Sequence, residues 1–176
     1  MSAVPPTDAF VERCAAVFQF PLTNDQTAAL AQFAQFWQAD QLRKVWILTG
    51  FAGTGKSTLI AGLTQLLRIE KINFKLLAPT GRAAKVLANY ADRSASTIHR
   101  QIYFSGGELA QQGLTKAKNL FKNTLFFVDE ASMLADADTM DADNLLEDLL
   151  NYVYTGENCH LILIGDPGQL PPVGQD

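Results

Sequence analysis

Residues 50–58 read GFAGTGKST, a run whose residue types and spacing suit the binding of phosphate. Gly50 and Gly55 are separated by four residues and followed by Lys56 and Ser57, which is the spacing G-x-x-x-x-G-K-[ST] of a phosphate-binding loop. Glycines let a backbone curl through φ > 0 and bring its N–H groups close to phosphate oxygens. A lysine at position 56 reaches the β- and γ-phosphates, and a hydroxyl at position 57 is a ligand for Mg²⁺. The helix that starts near Lys56 adds the positive end of its dipole. With glycine at about 7% of residues, a chance match in a chain of this length is on the order of one in a hundred. The candidate nucleotide-binding set is Gly50, Ala52, Gly53, Thr54, Gly55, Lys56, Ser57 and Thr58.

Two further groups of residues could complete that chemistry. Asp129 and Glu130 follow the apolar run Thr124–Val128. A carboxylate there can hold Mg²⁺ opposite the Ser57 hydroxyl, directly or through its waters. A second carboxylate beside it can take a proton from an attacking water. Alone, two acids after a strand are ordinary turn residues; beside a phosphate loop they become functional candidates. Residues 163–172, LIGDPGQLPP, form another strand-to-loop passage. Asp166 and Gln169 are candidates for sensing the γ-phosphate, since an amide can bond phosphate or orient water. A rigid proline-rich turn is the competing reading of that stretch.

The elements that must position these groups alternate. Helices are expected over 7–18 and 24–39, the second with Thr23 as N-cap and Leu30, Phe33, Ala34 and Trp37 at helical spacing. A strand at 45–49 leads into the loop and a helix over 56–69. A strand at 74–78, a turn at Pro79-Thr80-Gly81 and a helix over 82–90 follow. A short element around 97–103 precedes a less regular stretch, 104–122, with a turn signal at Gly106-Gly107. A strand at 124–128, a helix over about 140–154 and a strand at 160–164 complete the order. Strands that alternate with helices and are apolar throughout, 45–48 included, predict an α/β protein whose mainly parallel sheet is covered on both faces. Ligands of such sheets bind at the carboxyl ends of the strands. The phosphate loop, Asp129-Glu130 and Asp166 all fall there.

Composition sets the bounds. The 176 residues fit one domain with a sizeable core, and no apolar run approaches the ~18 residues of a membrane span. The N-terminus lacks the pattern of a secretory signal. Cys14 and Cys159 are too few for a disulfide framework and are not at metal-ligand spacing, which fits reduced thiols in a cytoplasmic protein. Net charge is −4, yet all 14 lysines and arginines lie in residues 1–122, and residues 123–176 hold 11 acids with no lysine or arginine. This asymmetry allows a basic binding face on an acidic body, with plain solvated surface as the equal alternative.

Six stretches together resemble the N-terminal motor domain of superfamily 1 DNA helicases of the RecD/TraA-like (exonuclease V alpha-subunit) group. FPLTNDQTAAL at 20–30 is similar to the Q motif, GFAGTGKST to motif I, and LLAPTGRAAKVL at 76–87 to motif Ia. STIHRQIY at 96–103 is similar to motif Ib, LFFVDEASML at 125–134 to motif II, and LILIGDPGQLPPVG at 161–174 to motif III. The resemblance implies a three-layer αβα, RecA-like P-loop NTPase domain with ATP and Mg²⁺ as cofactors. Gln26 would bond the adenine. Lys56 and Ser57 would hold phosphates and Mg²⁺, Asp129 would coordinate Mg²⁺, and Glu130 would be the general base. Asp166 and Gln169 would couple the γ-phosphate to DNA. Thr80, Arg82, Thr97, His99 and Arg100 would line a path for single-stranded DNA, in keeping with Lys85 and Arg93 in the basic half. For His99 alone, a partly buried, hydrogen-bonded histidine is the commoner outcome. Translocation would run 5′ to 3′. In this family a small duplex-splitting pin sits at the place of 104–122, where Tyr103, Phe104, Lys116, Lys118 and Lys122 could serve it; a plain connecting loop is the alternative.

The family also needs a second RecA-like domain that supplies an arginine to the γ-phosphate, and no candidate arginine follows Lys122. Such a residue is worth ~10³-fold or more in turnover. The expectation is therefore one N-terminal ATP-binding domain, with 1–22 as a helical extension, that binds Mg-ATP and hydrolyses it slowly. Two other classes compete with the motor. A small-molecule kinase needs an arginine-rich lid, and a non-catalytic binding module needs no turnover. A GTPase is disfavoured by the absence of an N-K-x-D motif.

Overall fold

The computed structural model describes residues 7–18, 20–104, 115–134 and 142–169. Helices α1 (Thr7–Ala15) and α2 (Asn24–Gln38) precede strand β1 (Val45–Thr49). Helix α3 (Lys56–Ile69), strand β2 (Asn73–Ala78), helix α4 (Gly81–Ala91), strand β3 (Ala95–Thr97) and helix α5 (Ile98–Ile102) follow. Short strands β4 (Tyr103–Phe104) and β5 (Thr115–Lys116), strand β6 (Thr124–Val128), helix α6 (Ala142–Thr155) and strand β7 (His160–Gly165) complete the order. Two 3₁₀ turns, Ala131–Leu134 and Pro167–Gln169, follow β6 and β7.

Five strands form one parallel sheet in the order β1-β7-β6-β2-β3. Side-chain alternation splits the core into two halves. Leu125 and Phe127 of β6, with Trp46, Leu48, Ile162 and Ile164, face a layer built from α1 to α4. Phe126 and Val128, with Leu77 and Leu161, face α5 and α6. The result is the expected three-layer αβα fold. Each fully buried Phe or Leu in it stabilises by about 1.5–3 kcal/mol. Among the described residues no helix is long and apolar enough to cross a membrane.

Local chemistry accounts for the element boundaries. Thr23 caps α2 through a capping box. Its hydroxyl accepts from the Gln26 N–H at 3.2 Å, and the Gln26 side-chain oxygen accepts from the Thr23 N–H at 3.0 Å. At the other end Lys44 Nζ donates to the carbonyls of Trp37 (3.2 Å) and Ala39 (2.7 Å), satisfying the helix C-terminus with a cation. Thr80 and Thr97 cap α4 and α5 in the same manner, each accepting an N–H three residues on at 3.2 Å. Helix α1 is part of the core rather than an appendage, with Phe10 and Cys14 buried against it.

The sheet departs from expectation in two places. Strand β3 is only Ala-Ser-Thr, too short and polar to register as a periodic signal; it forms by pairing Leu76–Ala78 with Ala95–Thr97. Strand β1 lies at the sheet edge, not between covered faces. Trp46 and Leu48 are buried, but Val45 and Ile47 are exposed, because α6 packs over β6 and β7 and does not extend across β1. An apolar run does not distinguish a one-sided edge from a two-sided interior.

Within the stretch 104–122 the antiparallel β4–β5 ladder flanks residues 105–114, where a pin would lie and which are outside the described residues. Lys116 pairs with Asp148 of α6 at 2.5 Å, and the Tyr103 hydroxyl donates to the same carboxylate at 2.7 Å. Lys122 pairs with Glu157. Two of the three lysines considered for phosphate are thus held by carboxylates of the acidic half.

Cys14 and Cys159 are free and buried, and burial pushes the Cys14 thiol up to about 12. His160 is buried beside the rings of Phe36 and Trp37, and its Nδ1 has no partner. Burial, and then the Lys44 charge, push its pKa down to about 4. The unfolded chain takes up that proton near pH 6.5, so between pH 6.5 and about 4 the unfolded state binds more protons and stability falls with acid. The expected loss is roughly 1–3 kcal/mol across that window. Thermal melts of wild type and His160→Leu check it: the variant should lose part of the acid slope, and parallel curves would refute the assignment.

Candidate active site

Strand order brings the chemistry together. β7 lies between β1 and β6, so the loop after β1, Asp129-Glu130 after β6 and Asp166 after β7 emerge side by side. Neighbouring strands are ~4.8 Å apart, which places the outer two groups ~10 Å from each other. They enclose a cleft of about 440 Å³ lined by Ala52, Gly53, Gly55, Lys56, Ser57, Thr58, Val86, Tyr90, Asp129, Glu130, Gly165 and Asp166.

The loop has the geometry its glycines predict. Gly53 and Gly55 have φ of +79° and +86°, and a Cβ at Gly55 would sit 2.6 Å from Gln26 Nε2. The amide of Gln26 therefore lies against the phosphate loop, with its oxygen engaged in the α2 cap and its NH₂ group next to Gly55. The Thr54 hydroxyl braces the loop by donating to Phe51 O at 2.8 Å. Lys56 Nζ donates to the carbonyls of Gly50 and, at 3.0 Å, Phe51.

The acidic side is more constrained. Asp129 Oδ1 accepts the Glu130 N–H at 3.0 Å, and Asp129 Oδ2 accepts the Tyr90 hydroxyl at 2.5 Å. Glu130 occupies the left-handed region, φ 54°, a conformation that costs a non-glycine residue about 1 kcal/mol or more and recurs at functional sites. Its pKa is raised by burial first and by the Asp129 charge next, with Lys56 opposing. A carboxylate shifted upward is a stronger base once ionised. Asp166 is buried, and its Oδ1 accepts the Gly168 N–H at 2.9 Å. Gln169 follows in the same turn, but its side chain and residues 170–174 lie outside the described residues.

These residues suit Mg²⁺ with a triphosphate. Among the described residues no three His, Cys, Asp or Glu side chains cluster as a dedicated metal cage. Mg²⁺ is commonly held by one or two protein oxygens plus water and phosphate, which the Ser57 hydroxyl and the Asp129 carboxylate supply.

The residues expected on a DNA path lie elsewhere. Thr80 stands just past the end of β2 and Thr97 is the last residue of β3, and their hydroxyls serve as helix caps. Arg82, His99 and Arg100 are exposed, and the His99 ring rests on Tyr103 at 5.6 Å. The buried histidine common for such residues is therefore not what His99 forms. Tyr90 and Val86 of the cleft escaped sequence reasoning: nothing in the helical spacing of α4 indicates that Tyr90 reaches an acid 39 residues away. Ser132 escaped it too; its buried hydroxyl, without a partner, lies beside Gly165 at the end of β7.

A parallel αβα sheet with a phosphate loop on one strand and an acid pair two strands away defines a P-loop nucleotide-binding domain of the RecA-like type. The AAA domain family model matches residues 21–176, and the chain belongs to that family. It is 34% identical over 152 residues to the ATP-dependent RecD2 DNA helicase of Deinococcus radiodurans, across 86% of this chain and 18% of that protein. It is 36% identical over 145 residues to an uncharacterized protein of Methanocaldococcus jannaschii, across 74% of this chain and 12% of that one. Unliganded Pif1 from Bacteroides sp has a similar structure, with a TM-score of 0.52 at 26% identity over 90% of this chain and 34% of that chain. These similarities bear out the resemblance to RecD-like superfamily 1 helicases. The chain spans less than a fifth of the length of the curated relatives named here.

Proposed function

We propose that this chain is the ATP-binding and ATP-hydrolysing motor domain of a DNA helicase, working with a second RecA-like domain to move along single-stranded DNA, 5′ to 3′. The observation that carries this reading is the convergence of Lys56, Ser57, Asp129, Glu130 and Asp166 on one cleft. Bound Mg²⁺ would supply charge neutralisation to the β- and γ-phosphates. Lys56 exchanges the carbonyls of Gly50 and Phe51 for phosphate oxygens, which are stronger acceptors. Ser57 and Asp129 would hold the ion. Glu130 takes the proton of the attacking water. Gln26 offers its NH₂ group to an acceptor on adenine, since its oxygen is committed to the α2 cap. Asp166 and Gln169 report the γ-phosphate, and Thr80, Arg82, Thr97, His99 and Arg100 meet the DNA backbone.

The RecD2 likeness favours this motor over a kinase or a binding module. ATPase rates with and without single-stranded DNA test it, on this chain and on Arg82→Ala. Stimulation by DNA that falls several-fold in the variant, with basal turnover unchanged, is expected. Turnover indifferent to DNA in both would favour another P-loop enzyme, and nucleotide binding with no turnover would favour the module.

A further inference from the structure

Tyr90 links helix α4 to the acidic end of β6 by a direct side-chain bond. It sits in the last turn of α4, half-buried, on the wall of the nucleotide cleft. Its hydroxyl donates to Asp129 Oδ2 at 2.5 Å, while the Glu130 N–H holds Oδ1 at 3.0 Å. Both oxygens of Asp129 are therefore fixed, one by the backbone that follows it and one by a side chain from another element. The Ser57 side chain lines the same cleft beside the Tyr90 hydroxyl. One phenol thus bonds one of the protein groups suited to Mg²⁺ and stands beside the other.

The other end of α4 carries Thr80 and Arg82, and the helix is fastened between by Ala84 and Leu87, both buried. A helix of 11 residues is a stiff rod of ~16 Å. A shift of its N-terminus on binding a phosphate backbone would be transmitted to the Tyr90 hydroxyl, and so to the orientation of Asp129. Groups that hold a ligating carboxylate typically set metal affinity by 10–100-fold.

We propose that Tyr90 is a positioning residue that orients Asp129 and Ser57 for Mg²⁺ and links their geometry to the DNA-facing end of α4. The inference rests on the motor reading above and goes beyond it by naming the side chain that carries the coupling. By linkage, if DNA changes the affinity for Mg-nucleotide, Mg-nucleotide must change the affinity for DNA by the same factor.

The test is nucleotide binding rather than turnover. A fluorescent ADP is titrated into wild type and Tyr90→Phe at a series of Mg²⁺ concentrations, with and without single-stranded oligothymidine. The phenylalanine variant should need about 10-fold more Mg²⁺ for half-maximal binding, and DNA should no longer shift its midpoint. An equal Mg²⁺ midpoint and an equal DNA effect in the two proteins would overturn the proposal. If wild type itself binds no Mg-nucleotide, the motor reading fails; if it binds and only the Tyr90 effect is missing, this inference alone fails. Should Tyr90→Phe not fold, the tyrosine ring resonances of labelled wild type decide: those of Tyr90 must shift when Mg²⁺ joins bound ADP, and unchanged resonances would refute the link.

Discussion

Glu130→Gln should bind Mg-ATP as tightly as wild type and hydrolyse it about 10²–10⁴-fold more slowly, the usual worth of a positioned general base. Glutamine keeps the size and shape of the side chain and the backbone turn that φ 54° imposes. It loses the negative charge and with it the capacity to accept a proton. The upward shift of the Glu130 pKa by burial and Asp129 makes two more outcomes follow. The acid limb of the wild-type kcat/KM profile, which reports the free enzyme, should lie above the ordinary carboxylate range, because a base must be ionised to act. The folded state, holding this proton more tightly than the unfolded chain, gives up stability as pH rises through the shifted pKa. Neutralising position 130 should therefore raise Tm at neutral pH, while the rate collapses. Single-turnover ATPase, equilibrium nucleotide binding and thermal melts on the two proteins check all three. A variant that hydrolyses within a few-fold of wild type would remove Glu130 from the base role.

Much of this arrangement was legible in the chain because its signals are local. A capping threonine three residues before Gln26, glycines at fixed offsets before Lys56 and apolar runs ending in acids are each read from a short window. The strand ends then converge because parallel α/β sheets present loops at one edge. What stayed hidden depends on strand order and on long-range contact. Nothing in Val45–Thr49 reveals that it is an edge with Ile47 exposed. Ala95–Thr97 becomes a strand only because β2 offers it a partner. Tyr90 looks like one more residue near a helix end until β6 brings Asp129 under its hydroxyl. The family resemblance likewise implied one role for Thr80 and Thr97, toward DNA, while the structure gives each hydroxyl another as a cap. These roles are compatible, since a cap leaves one oxygen lone pair and the hydroxyl hydrogen free. Substitution at either threonine will consequently mix a helix-cap cost of about 1 kcal/mol with any loss of DNA binding. The side chains of Arg82 and Arg100, exposed and taking no part in those caps, are the cleaner probes.

Lys56→Ala carries the second large effect, and it should separate binding from folding. In the structure the Lys56 ammonium is satisfied by the Gly50 and Phe51 carbonyls at a half-exposed position. Those carbonyls can turn to water when the side chain is removed, so melting should change little. The bound state has no such substitute. A charge-assisted hydrogen bond is worth about 1.5–3 kcal/mol, and a lysine bridging the β- and γ-phosphates makes two of them. ATP affinity should fall by about 10²–10⁴-fold, and ADP, lacking the γ-phosphate, should lose less than ATP. That difference between the two nucleotides is the discriminating measurement. Calorimetric titrations with ATP and ADP in Mg²⁺ would give it directly. An equal loss for both would mean that Lys56 never reaches the γ-phosphate, and that it acts instead by bracing the loop through Gly50 and Phe51.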